Sequence, residues 1–125
     1  MLVIGRSDDT KYTPIMFTPW SLIHVISGIM FAMYTRNLTF RRSFSIFFTL
    51  HAIYEIKDVS TGDDNSVLNS IGDQISGTCG FLLGRTLETQ KLIILSLILF
   101  AIFVNPLFTK DGESSKVMNL WTSRS

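Results

Sequence analysis

The sequence predicts an all-α fold, an integral membrane helical bundle of four transmembrane helices, and three observations lead there. Residues 14–34 contain no Asp, Glu, Lys or Arg. Residues 92–104 are interrupted only by Ser96. Between these two stretches the polar side chains recur at helical spacing, so they share faces instead of scattering around the helix. An amphipathic helix of a water-exposed domain turns a polar face outward every turn, and the first and last stretches lack one. The chain has 125 residues, enough for one domain, and a formal net charge of +1, which provides no field for nucleic acid.

Residues 1–14 form a polar N-terminal segment without the basic start, apolar run and small-residue site of a cleaved leader. The first span covers about 15–34, with Trp20 and Tyr34 as aromatics at the two interfaces. A basic turn follows with Arg36, Arg41 and Arg42. It is first an orientation signal and second a contact for anionic head groups or an acidic protein. The second span, about 43–58, is short and Phe-rich and carries His51 and Glu55. A polar loop around Asp63 leads into the third, about 66–84, which is the most polar and holds Asn69, Asp73, Gln74 and four glycines. The fourth, about 92–108, has 17 residues. They rise ~26 Å as a helix, just adequate for a hydrocarbon core of roughly 30 Å. Asn105-Pro106 should end it, and residues 109–125 form a polar tail with Trp121 as its large anchor. A three-span arrangement, with the second or third segment re-entrant, is the alternative. A second basic turn carries Arg85 and Lys91, and both basic turns fall on one side of a four-span chain, which puts them on the cytoplasmic side.

Ionisable groups on apolar helices mark the bundle interior, because leaving them unpaired there is costly. Ser21, His24, Gly28, Ala32 and Thr35 form one small, polar stripe. His51, Glu55 and Asp58 form a second, and Asn69, Asp73, Gly77, Gly80 and Gly84 a third. His24 comes early in its segment, Glu55 late in the next and Asp73 early in the third. With alternating helix directions all three fall at the same end of the bundle. A polar cluster of His24, His51, Glu55, Asn69 and Asp73 is therefore expected. It would serve as an interhelical hydrogen-bond network, a divalent-ion site, or a proton relay. No His-Glu-x-x-His and no cysteine pair selects the metal, so no cofactor is assigned and the metal stays unknown. Gly28, Gly77, Gly80 and Gly84 are expected to pack helices closely, and Cys79 to be an inert small residue.

The stretch His51-Ala52-Ile53-Tyr54-Glu55, then residues 65–73 and Gly80, resembles small VanZ-like and YjdF-like multi-span membrane proteins. With residues 17–24 and Gly28, it also resembles short membrane proteins encoded by large DNA viruses of algae. The resemblance covers residues 17–84, about half the chain. It implies a fold more than a reaction. The expectation is a non-enzymatic structural or assembly role, as a minor component linking the inner membrane of a virion to its capsid. Its partners would be the lipid bilayer and other membrane or capsid proteins, with no nucleic acid and no identified small-molecule substrate. Its location would be a virion inner membrane or host endomembrane. The alternatives are a membrane enzyme or proton- or ion-handling protein using the His/Glu/Asp cluster, and an accessory subunit of a larger complex.

Overall fold

Pro19 decides where the first helix begins. Its φ of −55° is already helical, and its missing N–H costs nothing at a helix start. Helix α1 accordingly runs Trp20–Tyr34. The β-branched and apolar residues just upstream stay extended as strand β2, Ile15–Phe17, which pairs in parallel with β1, Leu2–Ile4. The register sets Leu2 against Ile15 and Ile4 against Phe17. Three further helices follow, α2 (Phe40–Thr61), α3 (Val67–Thr86) and α4 (Thr89–Val104). This computed structural model describes residues 2–5, 14–61 and 65–105. The loop around Asp63, Pro106, the tail and Trp121 lie outside the described residues.

Four helices thus occupy the four segments expected to cross a membrane, but the crossing itself is overturned. Among the described residues no helix is long and apolar enough to cross a membrane. The helices fail for two different reasons. Helix α1 has 15 residues, because residues 15–17 belong to β2. It rises only ~22 Å against a core of roughly 30 Å. Helix α4 is apolar but has 16 residues, ~24 Å. Helices α2 and α3 have 22 and 20 residues and fail on polarity. The first carries Arg41, Arg42, Glu55, Lys57 and Asp58, the second Asn69, Asp73, Gln74 and Arg85. The multi-pass membrane fold is corrected accordingly, and with it the location in a virion inner membrane or host endomembrane.

Helices α1 and α3 form the central contact, and glycine makes it possible. A Cβ on Gly28 would collide with the Gly77 carbonyl and the Phe81 nitrogen, and one on Gly80 with the Val25 carbonyl. Gly84 lies against Ala32 and the Ile29 backbone in the same way. The two backbones meet directly at Gly28 and Gly80, with only the Ala32 methyl between them at Gly84. Gly77 serves a different neighbour, the His51 ring and Phe47, at 3.1 Å from where its Cβ would be. Next to this seam sits the apolar core of Ala32, Phe47 and Phe81, flanked by Phe31 and Phe44. Phe81 stacks on Phe47 at 5.4 Å and meets Phe40 and Phe44 edge-on. The Phe-rich start of α2 is therefore partly inward packing surface. Helix α4 packs on α1, with Trp20 edge-on to Phe103 at 5.0 Å. Trp20 is a packing residue in this fold, whereas Tyr34 is 89% exposed.

The helix ends use the charges that were expected to orient the chain. Arg36 donates to the carbonyls of Gly84 and Leu87 and to the Thr89 hydroxyl at 2.8–3.2 Å, covering the C-terminus of α3. Arg85 returns the arrangement, donating to the Thr35 and Leu38 carbonyls after α1. Cationic donors at free carbonyls suit the negative end of a helix. At the opposite end Ser66 caps α3, its hydroxyl accepting from the Asn69 amide at 3.0 Å.

Candidate functional site

His24 stands one turn into α1, three residues after Ser21. His51 and Glu55 lie one turn apart on α2, and both are buried. Asp73 and Gln74 are neighbours on α3. The glycine contacts bring the backbones of α1 and α3 together, and Gly77 leaves room for the His51 ring. The aromatic ring of Phe47 stacks on His51 at 5.4 Å and 22°, holding it from the apolar side.

Three acceptor atoms converge as a result. His24 Nδ1 lies 2.8 Å from His51 Nε2. Glu55 Oε1 is 3.6 Å from the first and 3.7 Å from the second. It is buried and has no hydrogen-bond partner among the described residues. The other ring nitrogens face oxygens. His51 Nδ1 is 2.7 Å from Gln74 Oε1. The Gln74 amide is oriented by its Nε2, which donates to the Phe48 carbonyl at 3.4 Å. His24 Nε2 is 3.4 Å from Asp73 Oδ2, and the Ser21 hydroxyl donates to Asp73 Oδ1 at 2.7 Å.

These partners limit the tautomers through the hydrogen-bond network. His51 carries its proton on Nδ1 to donate to Gln74, so Nε2 presents a lone pair. His24 then either donates from Nδ1 to that nitrogen at 2.8 Å, or turns its proton on Nε2 toward the Asp73 carboxylate at 3.4 Å. In the second tautomer two lone pairs lie 2.8 Å apart with the Glu55 oxygen beside them. A positive charge at the centre, either a proton or a metal ion, would relieve that second arrangement.

The dimensions suit an ion. For separations of 2.8, 3.6 and 3.7 Å, the equidistant point lies about 2.0 Å from each atom. An ion about 2.1 Å from all three sits about 0.7 Å out of their plane, a distorted tetrahedral position in which the two nitrogens subtend about 84° and each nitrogen with the oxygen about 120°. His24, His51 and Glu55 are the group of described residues whose ligand atoms come within 4.8 Å of one another. Around such an ion Asp73 and Gln74 would be the outer shell that orients the imidazoles.

Electrostatics agree with the geometry. Burial, and then the neighbouring His51, lowers the His24 pKa to about 4, so the ring is neutral and able to coordinate. Burial, followed by the nearby Asp73 and Asp58, raises that of Glu55 to about 7. The Ser70 hydroxyl opposes this by more than Asp58 adds, without closing a hydrogen bond of regular geometry. Both shifts reflect an environment that disfavours net charge until an opposite charge arrives.

Of the residues expected in the cluster, His24, His51, Glu55 and Asp73 meet. Asn69 does not join the imidazoles. It is buried at the start of α3, and its amide donates to the Ile15 and Met16 carbonyls at 3.2 and 3.3 Å, tying β2 to the helix. Gln74 and Ser21 are the participants missed as site residues. Ser21 shares the polar face of His24, and Gln74 adjoins Asp73, but only the helix packing shows that they reach the ring and the carboxylate. Cys79 is exposed and away from the site. No family model, no curated protein and no solved structure matches the chain, so the likeness to VanZ-like and YjdF-like proteins rests on the residues quoted for it alone.

Proposed function

We propose that the protein binds a divalent first-row transition metal through His24, His51 and Glu55, leaving one coordination position open. The observation that carries this is the meeting of three acceptor atoms around a point about 2.0 Å from each. Two imidazoles and one carboxylate suit zinc, iron or cobalt in preference to the oxygen-only sites of calcium and magnesium. Three protein ligands with a free position is the pattern of reactive zinc sites, in which the ion polarises a bound water or carbonyl. Asp73 and Gln74 hold the imidazoles in the required tautomers.

Titration calorimetry of the purified, metal-free chain with Zn²⁺ tests it. One ion per chain is expected. Affinity should fall by about tenfold to a hundredfold in Gln74→Leu, and more in His24→Ala or Glu55→Ala. Circular dichroism of each variant separates lost ligands from lost fold. A wild-type chain that binds Zn²⁺ no better than the folded His24→Ala variant overturns the reading.

An assembly or accessory role is a second reading, and a separate observation favours it. Ile46, Leu50 and Ile53 on α2, and Ile93, Leu97 and Phe100 on α4, are 44–65% exposed. Apolar faces of this extent suit contact with other protein chains. Sedimentation over a hundredfold concentration range should show self-association. A single monomeric species throughout counts against pairing between copies.

A further inference from the structure

We propose that the cleft beside the two imidazoles binds a small, neutral, ring-bearing organic molecule whose single donor atom fills the open position on the ion. This rests on the metal reading above and names the ligand for that same site. The cleft has a volume of ≈ 410 Å³, within the range that holds small organic ligands. His24 and His51 form part of its wall, and Glu55, Asp73 and Gln74 do not. Glu55 and Asp73 are buried and the cleft touches both imidazoles, so it is the route we assign to an incoming donor.

The rest of the wall sets the ligand's chemistry. Trp20, Phe31, Phe47 and Tyr54 supply four aromatic side chains, Ile23 and Leu50 add aliphatic surface, and Ser27 adds a hydroxyl. Phe47 stacks on His51 and also lines the cleft, so a flat ring bound at the ion would lie beside existing rings. Charge decides the donor. Glu55 and Asp73 together balance a divalent ion, and no cationic side chain lines the cleft, which favours a neutral nitrogen or oxygen donor over an anion.

The experiment uses the full chain loaded with Co²⁺, whose visible spectrum reports the ion's surroundings. Imidazole and 4-phenylimidazole share one donor and differ by a phenyl ring. The phenyl compound should bind at least about tenfold more tightly, the scale expected for taking a ring out of water. Leu50→Trp, at a position 57% exposed in the fold, should fill the cleft and remove that preference. The variant should still take up one Co²⁺, because Leu50 is not among its ligands, while imidazole, entering by the same cleft, should bind more weakly than it binds the wild type. Equal affinities for the two compounds, on a chain with a normal Co²⁺ spectrum, overturn the cleft and leave the metal site standing. Failure to bind Co²⁺ at all removes both.

Discussion

His24 and Glu55 are displaced from their ordinary behaviour in opposite directions, and this makes the pH dependence of stability informative. Glu55 titrates near 4.5 when unfolded and about 7 when folded. Its raised value gives a contribution that is full below pH 4.5 and lost as pH rises through about 7. His24 moves from 6.5 to about 4. Its lowered value gives a contribution that is full above pH 6.5 and lost as pH falls through about 4. Over the shared window the two slopes oppose, so the metal-free protein should be nearly flat in stability. Glu55→Gln leaves His24 alone, and stability should then rise with pH between about 4 and 6.5. His24→Asn leaves Glu55 alone, and stability should then fall between about 4.5 and 7. Urea midpoints across pH 4 to 8 check both, and parallel slopes in the two variants would contradict the assignment.

At the scale of elements, the bundle depends on how closely α1 and α3 approach. Gly80→Ala drives a methyl into the Val25 carbonyl, and neither backbone can yield without moving its helix. We expect a loss of about 1–3 kcal/mol, read as a lower urea midpoint, with the imidazoles pushed apart and Zn²⁺ affinity falling in step. Ala has a higher helix propensity than Gly, so a gain in stability would show that the two backbones do not meet there. The arginine pair acts at the helix ends instead. Arg85→Ala leaves the Thr35 and Leu38 carbonyls without their cationic donor. About 1 kcal/mol should be lost, seen by thermal denaturation, with metal affinity unaffected because the site lies toward the other end of both helices.

For the whole molecule, an ion held by His24, His51 and Glu55 would join α1 to α2, with α3 reaching the imidazoles through Asp73 and Gln74. Zn²⁺ at about one hundred times its dissociation constant should stabilise the fold by roughly 2.7 kcal/mol. Differential scanning calorimetry should record a concentration-dependent rise in Tm that is absent in His24→Ala. The same scale explains where the sequence misled. The apolar run 92–104 lies in a helix that lays one side on α1, through Phe103, and leaves Ile94, Leu97 and Ile98 exposed. The uncharged run through residues 14–34 is divided by Pro19 into a strand and a helix too short to cross a bilayer.

What the sequence determined by itself was local and periodic. Helical spacing put His51 with Glu55, and Asn69 with Asp73, on common faces, and alternating direction put His24, Glu55 and Asp73 at one end. Those relations follow from 3.6 residues per turn and need no knowledge of the neighbours. Tertiary structure decided which of these groups touch. Asn69 was drawn away to the β2 carbonyls, Gln74 was turned onto His51, and Arg36 and Arg85 were drawn to helix ends. Such choices depend on sub-ångström differences in backbone approach, set where glycine permits contact between α1 and α3. Periodicity fixes directions around a helix axis, but only packing fixes the distances between axes, and coordination chemistry depends on distances.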